Sequence, residues 1–308
     1  MSWIKKGLIF NSNSFKDWAV NGAMIPTPIH LNKDVLRVFL TFQDNRGIGR
    51  TGYVDLAKSN LNKVLKISPS PVFDIGEPGT FDENGSLTCS VVKVPDSGYY
   101  FYYAGFELGT QIRYRLLTGL AITNVNFELK KKYKRPVLER TDDELHFRCG
   151  PFCMLDNGIF KMWYVAGSEW IEIDGKSMPV YEIKYLESAD GVNWGNVGSN
   201  CINIEKENEH GFGRPYVIKH NGLYKMFYSI RVKQLGYRLG YAESVDGVQW
   251  VRKDDKMNLD VSEDGFDNEM ICYSSVIEIN GKLVMFYNGN GFGKTGFGYA
   301  ELIDLRNA

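Results

Sequence analysis

Carboxylates, arginines, amides and one tryptophan flank short apolar runs along this chain of 308 residues. Paired carboxylates can act as general acid and base, or as nucleophile, on a glycosidic bond. Arginine binds carboxylate or phosphate oxygens, and an aromatic face packs on a sugar ring. The candidate catalytic acids are Glu269, Asp44, Asp82, Glu107 and Glu169. The candidate substrate-binding residues are Arg46, His146, Arg148, Trp170, Arg214, Arg231, Asn288 and Asn290.

The chemistry open to these acids depends on their separation. Two carboxyl groups about 5 Å apart favour a retaining mechanism, and about 6.5–9.5 Å favours an inverting one. Glu269 and Asp44 are the leading candidates, followed by Asp82, Glu107 and Glu169. For each acid a structural alternative stays open, because a carboxylate at such a place often only pairs with a neighbouring arginine.

The elements that must position these residues belong to a repeated unit. Strand-like segments end in an aromatic residue about 60 residues apart, at Phe42, Tyr103, Tyr164, Tyr228 and Tyr287. A turn precedes each segment, as at Asn221–Gly222 and Asn280–Gly281, and another apolar run precedes the turn. A third run follows each segment. Asn-Gly between two such runs predicts a tight β-hairpin. We number these repeats unit 1 to unit 5.

Five units of four antiparallel strands predict an all-β fold, a five-bladed β-propeller with four-stranded blades. Residues 1–308 are then one domain. The fifth unit lacks an evident fourth strand, so we expect the N-terminal segment WIKKGLIF to supply its outer strand and close the ring. A pair of β-sandwiches is the alternative, and five nearly equal periods argue against it.

Antiparallel order places the candidate residues together. Each first strand begins, and each second strand ends, on the same side of the predicted ring, and the first strands line its centre. All candidate residues stand just before a first strand, at its start, or just after a second strand. We therefore expect them to surround one central funnel.

The chain resembles the five-bladed propeller glycosidases, the superfamily of glycoside hydrolase families 32, 43, 62 and 68, with the family 130 phosphorylases nearby. The five repeats carry the resemblance, together with two S-x-D-G-x-x-W turns, Ser188–Trp194 and Ser244–Trp250. It implies an active site in the funnel and a carbohydrate substrate.

The family pattern also places catalytic aspartates on the first strands. The positions that align with them hold Pro26, Thr88, Gly150, Arg214 and Tyr273, and none is a carboxylate. Either the acids lie on the funnel loops instead, or the propeller does something other than standard hydrolysis.

Composition narrows the partners. A net charge of −1 and a pI of about 6.5 give no indication of nucleic-acid binding. No apolar run is long enough to span a membrane, and the N-terminus lacks a secretory h-region. Five cysteines without a signal indicate reduced thiols, so we expect a cytoplasmic protein. We predict no metal or cofactor, because His146, Cys149 and Cys153 lack paired zinc-ligand spacing. The oligomeric state stays open.

Three functions are compatible with these features. The first is a glycosidase acting on a small glycoside. The second is a phosphorylase or glycosyltransferase that uses phosphate or an activated sugar, for which the arginines are suited. The third is a non-catalytic sugar-binding propeller.

Overall fold

The computed structural model describes residues 1–11 and 15–303, and nearly all regular structure there is β-strand. The strands are β1 (Ser2–Phe10), β2 (Asn21–His30), β3 (Val35–Gln43), β4 (Gly49–Ala57), β5 (Asn60–Ile67), β6 (Ser86–Val94), β7 (Gly98–Leu108), β8 (Tyr114–Thr123), β9 (Leu129–Lys132), β10 (Phe147–Asp156), β11 (Ile159–Gly167), β12 (Trp170–Ile173), β13 (Lys176–Pro179), β14 (Glu182–Ser188), β15 (Ser199–Ile202), β16 (Glu209–His220), β17 (Leu223–Val232), β18 (Arg238–Ser244), β19 (Val251–Arg252), β20 (Cys272–Ile279), β21 (Lys282–Asn288) and β22 (Phe297–Ile303). Two single helical turns occur, Asp254–Lys256 and Asn290–Gly293. No helix in these ranges is long and apolar enough to cross a membrane.

Each sequence unit folds into consecutive antiparallel strands. Unit 1 is the sheet β2-β3-β4-β5, and unit 4 is β16-β17-β18-β19. Units 2 and 3 share one eight-stranded sheet, because β8 and β10 align in parallel over two residue pairs. Unit 5 is β20-β21-β22, and β1 pairs with β22 at its edge. A separate hairpin, β12-β13, is inserted between the second and third strands of unit 3.

The Asn-Gly turns fold as their sequence predicts. Both residues have positive φ in Asn157–Gly158 (51° and 80°), Asn221–Gly222 (52° and 77°) and Asn280–Gly281 (52° and 78°). This is the type I′ geometry that matches the twist of a two-residue hairpin. These turns fix the register between the first and second strands of units 3, 4 and 5.

The two S-x-D-G-x-x-W segments are also turns. In the first, Asp190 accepts hydrogen bonds from the amides of Val192 and Asn193, at 2.8 Å each. The Trp194 indole donates to the Gly191 carbonyl at 3.2 Å, so the tryptophan belongs to the turn. The S-x-D-G-x-x-W pattern also predicts that its tryptophan opens the fourth strand; this is wrong in unit 3, where β15 begins only at Ser199.

The first strands of the units, β2, β6, β10, β16 and β20, share a local irregularity. Each has a register shift, or β-bulge, against its second strand. In four of them a residue at the bulge has positive φ: Ile25, Gly150, Arg214 and Tyr273. These strands contact one another in the order β2, β6, β10, β16, β20 and back to β2. The bulges re-aim the side chains at the centre of the molecule.

The apolar core lies mainly between neighbouring units. Clusters rich in Phe, Tyr, Leu and Val fill the spaces between unit 5 and unit 1, between units 3 and 4, and between units 4 and 5. Hydrogen bonds from large aromatics also join neighbouring units: the Trp163 indole of unit 3 donates to Gly247 O of unit 4, and the Tyr102 hydroxyl of unit 2 donates to Gly191 O of unit 3, at 2.7 Å each. All five cysteines are buried as free thiols. The packing of neighbouring units against one another thus fixes the position of the central strands.

Candidate functional site

Arg214 fills the centre of the molecule at one of the bulge positions. Its guanidinium donates to Tyr273 O and Ser274 O in unit 5, at 3.1 and 2.8 Å. It also donates to Pro26 O and Thr27 Oγ1 in unit 1, and to Cys89 O in unit 2, at 3.1, 2.9 and 3.2 Å. Burial among these neutral acceptors lowers the pKa of Arg214 to about 10. One side chain therefore ties three other units to unit 4.

Four tyrosines from four different units surround a second arginine, Arg231. We call Tyr114, Tyr181, Tyr237, Tyr273 and Arg231 the tyrosine site. The Arg231 guanidinium lies 4.5 Å from the Tyr181 ring centre and 5.7 Å from that of Tyr237. The Tyr114 and Tyr181 hydroxyls are 3.4 Å apart, and the Tyr237 and Tyr273 rings are 6.2 Å apart. The site adjoins Arg214, because Tyr273 supplies a carbonyl to that residue.

Further aromatic side chains extend the tyrosine site. The Trp170 ring lies 5.5 Å from Tyr114, and its indole donates to His146 Nδ1 at 3.2 Å. This bond fixes His146 as the tautomer with its proton on Nε2, and burial lowers its pKa. Phe292 packs edge-on against Tyr237 at 5.1 Å and is partly exposed. These rings form aromatic walls suited to packing against a sugar.

Arg231 is buried, and no carboxylate among the described residues forms an ion pair with it. Only 2% of its surface is exposed. Its Nη1 donates to Pro179 O at 2.6 Å, while Nε is buried with no partner. The neighbouring His210 is also buried, with an unpartnered Nδ1. Burial first, and then the charge of Arg231, lower the pKa of His210 to about 4. The histidine therefore stays neutral near pH 7.

Two of the candidate acids are buried in ion pairs. Asp44 accepts the Arg46 and Ile48 amides at 2.9 and 3.0 Å and lies 2.9 Å from Arg50. Burial alone would raise its pKa, but these bonds together lower it. Asp82 lies 2.7 Å from Lys132 and accepts from the Tyr103 hydroxyl at 2.9 Å. Both carboxylates thus hold neighbouring segments together.

The other three candidate acids are more exposed. Glu107 forms a double hydrogen bond with Arg115, at 3.1 and 3.2 Å. Glu169 and Glu269 are exposed, and neither carboxylate has an ion-pair or hydrogen-bond partner among the described residues. Glu169 is adjacent to Trp170. The Glu269 carbonyl accepts from Arg238 at 3.1 Å, which places it beside the loop that carries Tyr237.

The remaining predicted binding residues mostly bind the protein itself. Arg148 is buried, with Nε 2.7 Å from Glu144, whereas Arg46 is exposed. Asn288 accepts from the Ile25 amide and donates to Ala23 O, at 2.7 Å each, and so joins unit 5 to unit 1. Asn290 accepts from the Glu269 amide at 2.9 Å.

The repeated tyrosines within the second strands each bind a carboxylate. In four units this hydroxyl bonds a buried or half-buried carboxylate that a lysine or arginine neutralises. We call these groups the seam clusters: Asp82–Tyr103–Lys132, Glu144–Tyr164–Arg148, Asp254–Tyr228–Arg252 and Asp267–Tyr287–Lys5. Unit 1 has Phe42 at this position and lacks the hydroxyl.

Sequence reasoning missed the four tyrosines and His210. A usable signal was present, because a tyrosine stands at or just before the start of the third strand in units 2, 3 and 4. These residues are Tyr114, Tyr181 and Tyr237. The start of a third strand lies on the same side as the end of a second strand, so the position belongs to the same funnel.

The sequence matches no family model. A Mycobacterium tuberculosis (strain H37Rv) protein, "Uncharacterized protein Rv1502", is 30% identical over 302 residues, which cover 98% of this chain and 99% of the relative. "Uncharacterized protein MT1551" from strain CDC 1551 has the same identity and coverage.

Solved structures share the fold. One named "Glycoside hydrolase" superposes with a TM-score of 0.75 at 18% identity, covering 98% of this chain and 92% of that chain. A thermostable family-43 glycoside hydrolase gives 0.70 at 16% identity, covering 94% and 92%. The β-1,2-mannobiose phosphorylase from Listeria innocua gives 0.70 at 11% identity, covering 98% and 96%. The resemblance to the propeller glycosidase superfamily is therefore confirmed for the fold.

Proposed function

This chain belongs to the family of the Mycobacterium tuberculosis protein Rv1502, and we propose that it is a carbohydrate-active protein that binds a glycoside at the tyrosine site. The observation that carries the proposal is the convergence of aromatic rings from four units at one place. Tyrosine and tryptophan faces pack on sugar rings, and their polar groups bond hydroxyls. The fold it shares with a glycoside hydrolase and a disaccharide phosphorylase supports the same class of ligand.

We infer that the architecture behind this site has five blades. The cyclic contacts of the five first strands support this count, as does Arg214, which bonds units 1, 2 and 5 from unit 4. The parallel contact of β8 with β10 spans only two residue pairs, so the eight-stranded sheet corresponds to two adjacent blades. The strand β1 would then complete the fifth blade and close the ring.

For catalysis we propose Glu169 and Glu269 as the reacting acids. They are the candidate carboxylates without a partner in the part of the chain that the structure describes, and they lie beside Trp170 and the Tyr237 loop. An unpaired acid can give or take a proton in a reaction, whereas Asp44 and Asp82 would first have to leave an ion pair.

A second candidate function is sugar binding without turnover. It is favoured by the bulge positions of the first strands, which hold Arg214, Tyr273 and other residues without a carboxylate. In that case Glu169 and Glu269 bond sugar hydroxyls only.

A panel of mono- and disaccharides tests sugar binding, with affinity measured by calorimetry for the native chain and for Tyr237→Ala and Trp170→Ala. We expect each substitution to weaken binding roughly 10- to 100-fold. Tyr133→Ala, at a half-buried tyrosine on the outer edge of unit 2, is the matched control and should bind normally. Absence of binding to every sugar would overturn the proposal.

Nitrophenyl glycosides, with and without phosphate, then separate turnover from binding. We expect Glu169→Gln and Glu269→Gln to lower turnover by at least about 100-fold if these acids react. Tight sugar binding with no turnover on any donor would favour the second function instead.

A further inference from the structure

Arg231 differs from the other arginines that the sequence placed at the funnel. Arg148 pairs with Glu144, and Arg214 donates to five acceptors through its two terminal nitrogens. Arg46 is on the surface, where water solvates its charge. Arg231 is buried and its Nη1 donates to the neutral Pro179 O, whereas its Nε has no hydrogen-bond partner in the described structure. Among the described residues, no carboxylate forms an ion pair with it.

The groups described around Arg231 can form hydrogen bonds, but none of them carries a negative charge. Rings of Tyr181 and Tyr237 face the guanidinium, and the Tyr237 hydroxyl is near enough to interact with it. His210, with its unpartnered Nδ1, is beside them. A buried cation that lacks both a counter-charge and part of its hydrogen-bond acceptors costs several kcal/mol, so it persists in a protein mainly where a ligand or partner supplies them.

We infer that the ligand of the tyrosine site carries a negatively charged group, a carboxylate or phosphate joined to or accompanying the sugar, and that Arg231 binds it. This inference rests on the proposed function and specifies its substrate class. A carboxylate or phosphate can accept parallel N–H bonds from two nitrogens of one guanidinium, and Nε of Arg231 is buried without a partner in the described structure. A neutral hydroxyl would accept one bond and leave the charge uncompensated. The tyrosine faces would pack on the sugar ring while Arg231 holds its acidic substituent.

Matched pairs of ligands test the inference by calorimetry on the full chain. The neutral members are glucose and galactose, and the anionic members are glucuronate, galacturonate and the corresponding sugar 1-phosphates. Inorganic phosphate alone is a further arm. We expect an anionic member to bind roughly 10- to 100-fold more tightly than its neutral counterpart. Preference for a uronate, for a sugar phosphate, or for free phosphate together with a neutral sugar identifies which source supplies the anion.

The variant Arg231→Gln removes the charge and keeps most of the side-chain volume. We expect it to reduce the anionic-to-neutral preference to less than about threefold, and Arg231→Lys to retain part of it because a single ammonium lacks the planar fork. Arg135→Gln, at an exposed arginine after the outer strand of unit 2, is the matched surface control and should keep the full preference. Circular dichroism and thermal melting check that each variant is folded.

The outcomes separate the two proposals. If neutral and anionic sugars bind equally well, and Arg231→Gln does not change this, the inference of an anionic ligand is wrong. The proposal that the tyrosine site binds a glycoside would then still hold. Failure of every sugar to bind would overturn the proposed function itself, and the anionic-sugar inference with it.

Discussion

The seam clusters and the tyrosine site use the same residue types in opposite ways. At a seam, as in Glu144–Tyr164–Arg148, a tyrosine hydroxyl and a cation both bond one buried carboxylate. At the tyrosine site, tyrosines surround Arg231 and the carboxylate is missing. Balanced charge at the seams stabilises the contact between parts of the scaffold. The charge of Arg231 at the tyrosine site is not neutralised, so this side chain can still bind an anionic group of a ligand.

Whether a buried charge is neutralised separates scaffold from site better than residue type or position alone. Asp82 and Arg231 both follow the pattern expected of funnel residues, but the first is neutralised by Lys132 and the second is not neutralised within the described structure. The following substitutions test whether neutralisation separates scaffold from site.

Glu144→Gln should cause the largest loss of stability. Glu144 is buried and lies 2.7 Å from Arg148 and 3.0 Å from Lys184, so removing its charge leaves buried cations uncompensated. We expect the free energy of unfolding in urea to fall by about 3–5 kcal/mol. The control is Glu107→Gln in the half-buried pair with Arg115, where about 0–1 kcal/mol is expected. Equal losses of unfolding free energy in the two variants would show that the buried seam cluster is no more important for stability than the half-buried pair.

Tyr103→Phe should cause an intermediate loss. The hydroxyl donates to buried Asp82 at 2.9 Å, and without it the carboxylate loses one of its bonds. We expect unfolding to require about 1–3 kcal/mol less, measured in urea. Tyr114→Phe is the counterpart at the tyrosine site, where the 3.4 Å contact with Tyr181 is weaker and a cost below about 1 kcal/mol follows. A larger cost at Tyr114 than at Tyr103 would contradict the comparison.

Arg231→Gln should leave stability unchanged or raise it, within about 1 kcal/mol, because the variant no longer buries an unpaired cation. The matched control is Arg148→Gln. This variant leaves the buried Glu144 carboxylate without its arginine partner and should destabilise the protein strongly. Urea unfolding of the two variants in parallel is the measurement. If Arg231→Gln unfolds as readily as Arg148→Gln, Arg231 belongs to the scaffold after all.

The acid dependence of stability should show the smallest effect. The Asn193 amide, with the Val192 amide, holds the pKa of Asp190 at about 2, although burial opposes this. This value lies below the unfolded value of about 3.9, so the stabilisation is complete above about pH 4 and is lost as the pH falls towards 2. Asp190→Asn should flatten this part of the stability curve. Asp255→Asn, at an exposed acid without a hydrogen bond, should leave the curve unchanged.

Local patterns in the sequence predicted much of the fold. The Asn-Gly hairpins and the repeated strands follow from short-range rules, because turn geometry and alternation act over a few residues. The pairing of Lys132 with Asp82 joins residues 50 positions apart through the geometry of a whole sheet, and no local rule supplies it. The tyrosine site was harder still, since its members come from four units. The sequence does show a tyrosine at or near the start of three successive third strands. This pattern indicates a common site only when the positions of those strands in the fold are known.

The pairing of β1 with β22 has a consequence for the order in which the strands can assemble during synthesis. Because synthesis runs from the N-terminal to the C-terminal side, β1 is made before β22, and the hydrogen bonds between them can form only once both strands have left the ribosome. Trp3 of β1, whose ring centre lies 6.1 Å from that of Phe227 in the folded chain, likewise makes this contact only after unit 4 has been made. The outer edge of unit 5 is therefore completed late in folding, although β1 precedes all five units in the sequence.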